Sequence, residues 1–476
     1  MGLAVLSKNR VSSNKQNEAQ SSAYQLNVMY GDKTIGVLSL DSSTHLLKLA
    51  YSSNWQQSGF AISPHLMLNN QHNPTVAYNY LDNALPEGEA RKLLAENLGV
   101  SEKNVYSQIR ALGNDLAGAI TFMSAAESDS INNPDYKLTP IFRALEQNEL
   151  IARLDTKEEF GLLTWDDKPR LSVAGVQDKL NVFIDDETNV DKRQIGFGDG
   201  SLCSTHILKF EKKNCLNLVL NEYFCMKLSE AVGLPTASVE FSRFGMHPAL
   251  IVERFDRKYV KDSNKVMRRH VIDGCQALNL SREHKYERNL GDGRDVKHIR
   301  DGASLEKLFA FTDGMSSPIE SKQWLINWQL FNLMISNYDS HGKNVSLFFD
   351  KTNVRFTPAY DLVNIAMFSQ FKHVLAMAMG DEFEPNDIHA YQLVDFAETC
   401  NIDKKLLSRL LVSLSDKVIK QLENHSLINE LISYDEKTAN ILTSDDIQYF
   451  NSLAKHILEK TKHLKAQAAE IPSIKV

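Results

Sequence analysis

The chain has 476 residues and only five cysteines, Cys203, Cys215, Cys225, Cys275 and Cys400, none of them in a CxxC pair. That spacing supports neither a disulfide framework nor a thiolate zinc site, and it reads as five reduced thiols. The fourteen histidines include no HExxH, which removes the commonest zinc-hydrolase pattern. No apolar run reaches the roughly 18–20 residues that span a bilayer. The N-terminus has no apolar stretch of signal-peptide length, and Leu6 stands where the myristoylation pattern needs Ser or Thr. These absences point to a cytoplasmic protein. Positive charge is also short. With 53 Lys and Arg against 60 Asp and Glu, the net charge is −7, and no global field attracts nucleic acid or an anionic membrane. What remains is ordinary globular material, 43% hydrophobic and 24% charged, in a chain long enough for several domains of about 150 residues each.

Residues 8–22 are polar and nearly free of large apolar groups, which predicts a disordered lead-in over 1–23. From Tyr24 the pattern becomes YQLNVMY, a Gly-Asp turn, TIGVLSL and HLLKLAY, which reads as three strands. In ALPEGEARKLLAENLGV, Pro86 near the start, acidic first-turn residues and Gly99 near the end predict a helix. Residues 24–125 therefore read as a small α+β domain, followed by a connecting segment over 126–165. Strands dominate 166–256: RLSVAGVQDKLNVFIDD, STHILKF, ASVEFSRF and PALIVERF. One amphipathic helix, LNEYFCMKLSEAVGL, sits among them and ends at Gly233-Leu-Pro235. Residues 257–465 read as mainly helical, broken by the short strands NVSLFFD and VRFTPAYDL, and 466–476 as a tail.

The segment with the most chemistry is Asp339-Ser-His-Gly-Lys-Asn344. An aspartate five residues before an asparagine is the spacing with which kinases place a carboxylate on the acceptor hydroxyl and an amide on a metal. His341, Gly342 and Lys343 would lie beside the same phosphates. The bland alternative is a polar surface turn after a buried helix. Asp361, 17 residues past Asn344 in FTPAYDLV beside Tyr360, supplies a second oxygen donor. Two donors that leave room for water and phosphate suit magnesium, which seldom has an all-protein cage.

Lys209 in THILKF, followed by the helical Glu222, has the makings of a strand lysine held against phosphates by an ion pair. Ser172-Val-Ala-Gly-Val-Gln-Asp-Lys179 has small residues between strands, so that backbone N–H groups can approach phosphate oxygens. As a bare pattern it is an ordinary hairpin turn. LIVERFDR would suit a lobe-connecting hinge, with Phe255 packed beside an adenine. Most of these features are unremarkable alone. Their order (small-residue turn, strand lysine, helical glutamate, hinge, D-x-x-x-x-N, later aspartate) is that of a bilobal kinase.

From about 24 to 460 the chain resembles the HipA family, serine/threonine kinase toxins of bacterial toxin–antitoxin pairs. The resemblance is carried by LPEGEAR, GNDLAGAI, SVAGVQDK, THILKF, NEYFCMKL, VERFDR, DGCQALNL with KYE at 285–287, DSHGKN and TPAYDL. It implies an α+β, bilobal protein-kinase-like fold. A HipA-like N-terminal subdomain would span 24–125, a kinase N-lobe 166–256 and a helical C-lobe 257–465. Asp339 would be the catalytic carboxylate, and Asn344 and Asp361 would hold Mg2+. Ala174, Gly175, Val176, Gln177, Asp178 and Lys179 would form the ATP phosphate loop, which Lys209 joins. Glu253, Arg254 and Phe255 would line the adenine site. Ser172 would be an autophosphorylation site whose −1.5 to −2 charge, by about that amount, ejects the loop and switches the kinase off.

The same resemblance implies two partners: a HipB-like helix-turn-helix antitoxin that carries the DNA contact, and a protein substrate of the aminoacyl-tRNA synthetase class, such as glutamyl-tRNA synthetase. The sequence departs from the pattern in two places. Asp381-Glu-Phe-Glu-Pro385 replaces a lysine-rich loop and would repel DNA phosphates, and GDGRDVKHIRDG near 291–302 is inserted. Two other functions compete, an ATP-dependent kinase of a small molecule or lipid and a non-catalytic nucleotide-binding corepressor. No polybasic helix supports membrane work, and the intact Asp339, Asn344 and Asp361 oppose the corepressor.

Overall fold

Alternation of apolar and polar residues sets the first sheet. The computed structural model describes residues 24–127, 139–156, 162, 164–166, 168–170, 178–185, 193–211, 214–438 and 441–475, so the lead-in expected over 1–23 lies outside it. Strands β1 (Gln25–Tyr30), β2 (Lys33–Leu40), β3 (Leu47–Tyr51) and β4 (Ile120–Met123) form an antiparallel sheet of order β3-β2-β1-β4. In β3, Leu47, Leu49 and Tyr51 point inward while Lys48 points to solvent. Helices α1 (Pro74–Asn83), α2 (Gly88–Asn97) and α3 (Val105–Leu112) accompany this sheet. Helix α1 starts where the Asn73 side chain accepts from Val76 N and Pro74 occupies the first turn. Sequence reading passes over it because Asn79, Asp82 and Asn83 interrupt its apolar pattern. All three are buried.

A second sheet contains β5 (Pro140–Ala144), β6 (Asp178–Ile184), β7 (Ile195–Gly200), β8 (His206–Phe210), β9 (Val239–Phe244) and β10 (His247–Glu253), in the order β9-β10-β8-β6-β7-β5. Every neighbouring pair is antiparallel. Helix α4 (Gln147–Thr156) sets Leu150 and Leu154 among Trp165, Phe197 and Phe210 on one face. Helix α5 (Leu218–Ala231) is buried almost all round, as a helix apolar on every side must be. Phe224 and Phe450 pack ring to ring beside it, centroids 5.3 Å apart. Both β5 and α4 fall within 126–165, the stretch expected to connect two domains. Strand β5 and helix α4 belong to this sheet and do not merely connect two domains.

The third part holds a small antiparallel sheet, β11 (Val271–Asp273), β12 (Ser346–Phe349) and β13 (Val354–Phe356), and the helices α6 (Leu305–Thr312), α7 (Pro318–Met334), α8 (Ala390–Thr399), α9 (Lys404–Glu423), α10 (Ser426–Lys437) and α11 (Ser444–Gln467). Ser304, Asp403 and Thr443 cap α6, α9 and α11 by accepting from Lys307 N, Leu406 N and Asp446 N. One contiguous core runs from Leu26 to Ile471 through all three parts. The expected tail is partly docked, because Ile471 is fully buried and the Lys404 ammonium donates to the Ile474 carbonyl at 3.1 Å. All five cysteines are buried and free. Among the described residues no helix is long and apolar enough to cross a membrane.

Candidate active site

Strands β6 and β8 pair Lys179 directly with Lys209, so both side chains leave the sheet on one face. Helix α5 brings Glu222 to that face, 2.5 Å from the Lys209 ammonium. The loop after β13 brings Asp361, which pairs with the same ammonium. Asp361 has φ 55°, a left-handed conformation that aspartate tolerates better than most residues. Asn337 Nδ2 donates to its carbonyl at 3.4 Å. Burial disfavours charge on Lys209, yet Asp361 and Glu222 hold its pKa above the ordinary value. Burial would raise the Asp361 carboxyl, but Lys209 and Lys179 hold it below the usual range. For Glu222, burial, reinforced by the Asp361 charge, outweighs the pull of Lys209 and pushes the carboxyl up. Burial lowers Lys179.

Across the cavity, helix α7 ends at Ile335 and the chain reverses through Ser336, at φ 56°. The loop that follows is a web of its own hydrogen bonds. The Asp339 carbonyl accepts from Asn344 Nδ2 at 2.8 Å and from His341 N at 2.8 Å, and Asn337 Oδ1 accepts from Asp339 N at 3.3 Å. Among the described residues, nothing donates to the amide oxygen of Asn344. The Asp339 carboxylate accepts from the Tyr286 hydroxyl at 2.7 Å. The Tyr286 ring meets His341 edge-on, centroids 5.1 Å apart. Burial lowers the His341 pKa, so its ring is neutral near pH 7.

Two residues of this loop, Lys343 and Gly342, have protein partners of their own. The Lys343 ammonium lies at the cavity wall, held by the first domain and by Asp273. It donates to the Asn83 carbonyl at 2.6 Å and pairs with Glu87 at 3.1 Å and Asp273 at 3.4 Å. Lys285 holds the other oxygen of Glu87 at 2.6 Å. Glu87 stands at the start of α2 but makes no side-chain cap, because its carboxylate faces these lysines. Burial opposes its charge, yet Lys343 and Lys285 bring its pKa down to about 2. Gly342 is a packing position: a Cβ there would lie 2.5 Å from Ala303 Cβ and 3.1 Å from Cys275 Sγ.

The hinge side is partly as expected. Glu253, Arg254, Phe255 and Tyr360 line the cavity together with Ile207, Val252 and Ile272. Phe255 and Tyr360 lie with centroids 5.6 Å apart, and Tyr360 donates to the Lys343 carbonyl at 2.8 Å. The Arg254 guanidinium also has protein partners of its own. It turns into the protein, bonded to Asp256, to Ser204 Oγ at 2.7 Å and to the Leu116 carbonyl at 3.3 Å. It therefore docks the GNDLAGAI segment of the first domain, whose Gly118 N donates to Asp256 at 2.7 Å. Asp178 and Lys179 line the same cavity, whose volume is about 1200 Å³. Ser172, Ala174, Gly175, Val176 and Gln177 lie outside the described residues.

Sequence reading missed Asn83, Glu87, Asp273, Lys285, Tyr286 and Asn337. The only signal for Glu87, Asp273, Lys285 and Tyr286 was membership of the LPEGEAR, DGCQALNL and KYE segments, and Asn83 and Asn337 lie outside all three. Sequence reading also left the insertion without a role, and the structure joins it to the acidic run. Arg300 reaches the buried Glu287 at 2.5 Å and Asp381 at 2.5 Å. Phe383 packs under the Arg288 guanidinium, 3.6 Å from it.

With this geometry in place, known proteins can be compared. The family model described as HipA-like C-terminal domain matches residues 171–423, and the HipA N-terminal domain model matches residues 26–123. The serine/threonine-protein kinase toxin HipA of Shewanella oneidensis is 41% identical over 83% of this chain and 87% of its own. A Sinorhizobium fredii protein, Y4mE, is 28% identical over 82% of this chain and 89% of its own. Among solved structures, the Shewanella oneidensis MR-1 complex of HipA, HipB and operator DNA superposes with a TM-score of 0.82 at 37% identity, covering 95% of this chain and 100% of that one. Fold and cavity together are those of the protein-kinase-like phosphotransferases, and this chain is a serine/threonine-protein kinase. It belongs to the HipA family.

Proposed function

We propose that this kinase is the toxin of a bacterial type II toxin–antitoxin module, phosphorylating a serine or threonine of a translation factor with ATP. The observation that carries the chemistry is the convergence of the Asp339 carboxylate, the Asn344 amide and the Lys209–Glu222–Asp361 cluster on one cavity. Ile207, Val252, Phe255 and Tyr360 give that cavity an apolar wall suited to adenine. Lys209 and Lys179 give it the cations that a polyphosphate needs. The free amide oxygen of Asn344 and the carboxylate of Asp361 are two hard oxygen donors, which fits magnesium. When bound there, the metal ion supplies electrostatic stabilisation of the phosphates.

The chain's own residues perform the rest. Asp339 accepts the proton of the acceptor hydroxyl as its oxygen bonds to the γ-phosphorus, and the bond to the β–γ bridging oxygen breaks to release ADP. Glu222 and Asp361 keep Lys209 charged and aimed. Asn337 fixes both the Asp339 and Asp361 backbones.

The finer parts of the reading rest on family likeness. A HipB-like helix-turn-helix antitoxin is the partner, as the solved Shewanella assembly supports. DNA is reached through that antitoxin, an aminoacyl-tRNA synthetase of the glutamyl type is the substrate, the setting is the cytoplasm, and phosphorylation of Ser172 inactivates the enzyme. The test compares wild type with Asp339→Asn. Wild type transfers phosphate from ATP, slows growth when expressed without its antitoxin, and gains one phosphate at Ser172 by mass spectrometry. The variant does none of these. ATP turnover undiminished in Asp339→Asn rejects the assignment.

A further inference from the structure

Among the described residues, one side chain bonds the carboxylate of Asp339: the Tyr286 hydroxyl donates to Oδ1 at 2.7 Å. Tyr286 is 37% exposed, which would ordinarily mean a loose surface ring. Its backbone is anything but loose. On one side Gly302 N donates to the Glu287 carbonyl at 3.1 Å and Ala303 N to the His284 carbonyl at 2.8 Å. Gly302 is pressed so close that a Cβ there would fall 1.8 Å from the Tyr286 carbonyl oxygen. On the other side Glu287 N donates to the Ala376 carbonyl at 3.0 Å.

The flanking side chains are fixed as well. Lys285 is bound to Glu87, and its carbonyl accepts from Gly342 N at 2.9 Å. Glu287 accepts from Ala378 N at 2.8 Å and pairs with Arg300. The ring itself rests edge-on against His341. A hydroxyl delivered from so rigid a support holds one carboxylate oxygen in place. The second oxygen, Oδ2, stays available to an incoming hydroxyl, since a carboxylate accepts on both of its oxygens.

We propose that Tyr286 is a positioning residue for phosphotransfer, fixing the rotamer of Asp339 so that Oδ2 faces the acceptor. The inference rests on the reading of Asp339 as the catalytic carboxylate. The insertion at 291–302 gains a task from it, since its closing residues clamp the segment that carries the tyrosine. In the full-length protein, Tyr286→Phe removes one oxygen and keeps the ring. Steady-state phosphotransfer to a protein acceptor should show kcat lower by roughly 10- to 100-fold, the range of a hydrogen bond to a charged group. KM for ATP and the thermal midpoint should stay at wild-type values. A purely structural tyrosine would instead move midpoint and KM with kcat, which overturns the proposal.

Asp339→Asn is run in parallel. If Asp339→Asn is dead and Tyr286→Phe matches wild type, the tyrosine has no such role and the catalytic reading stands. If Asp339→Asn keeps wild-type activity, the catalytic reading itself fails. A Tyr286→Phe variant more active than wild type would make the hydroxyl a block on Asp339, and that also overturns the proposal.

Discussion

Two buried clusters, each of two lysines and two carboxylates, flank the same cavity: Lys179, Lys209, Glu222 and Asp361 on one side, Lys285, Lys343, Glu87 and Asp273 on the other. In the first, Asp361 keeps 24% of its side chain exposed toward the cavity, while Lys209 and Glu222 are sealed behind it. Two cations on neighbouring strands share those two carboxylates, so the pKa values spread apart. In the second, a main-chain carbonyl of Asn83 completes the shell around Lys343. Its members come from the first domain, from β11, from the Lys285 segment and from the catalytic loop. The first cluster gathers two cations beside one partly exposed carboxylate, and the second joins separate parts of the chain. Burial makes neither cluster a large net source of stability, but removing one partner from either is costly.

That contrast can be broken experimentally. Asp361→Asn should lower phosphotransfer by about a thousandfold, the upper range for loss of one preorganised electrostatic group. Glu222 still holds Lys209 in that variant, so differential scanning calorimetry should show a smaller loss of midpoint than the variant of the second cluster. Lys343→Met is expected to cost more, about 3–5 kcal/mol, because it takes the lysine from Asp273 and leaves Glu87 with Lys285 alone. Urea unfolding measures it, and adding Glu87→Gln should restore part of the loss. If the double variant is the sum of the singles, the clamp is not a unit.

Acid titration sharpens the same point. The pKa of Glu87 lies at about 2 when folded, below its ordinary value, so unfolding takes up a proton in that range. Its contribution, about 3 kcal/mol for a shift of this size, is complete above about pH 4.5 and fades as pH falls toward 2. Stability curves of Glu87→Gln should lack that segment, and an unchanged acid slope would contradict the coupling. The smallest effect belongs to the exposed end of the Arg300 bridge. Asp381 is 89% exposed, so Asp381→Asn should cost under about 0.5 kcal/mol and nothing at high salt.

Sequence reading singled out the 339–344 loop because a polar hexapeptide between an apolar helix and an apolar strand stands out. It found Lys209 and Glu222 because strand and helix patterns there are clean. It did not reach the partners of Lys343 because adjacency to Asn344 says nothing about which way a lysine leaves a tight loop. The contacts of Asn83 and Glu87 were not legible for a different reason. Their partners lie 260 and 198 residues away, and no local periodicity encodes such a contact. The same buried polar residues that hid α1 are those that join it to the rest, with Asn83 Nδ2 donating to the Leu280 carbonyl at 2.8 Å.

The Glu87 clamp also constrains inheritance. A neutral residue at 87 would leave the lysines at 285 and 343 without the carboxylate they share, so drift at any one of these positions is checked by the other two. Across relatives, loss of the carboxylate at 87 should therefore be accompanied by loss of a cation at 343 or 285. Recombination that swaps residues 26–123 between lineages would succeed only where the incoming segment carries a matching acid. The boundary between the two family domains is, in that sense, a poor place for a gene to be cut.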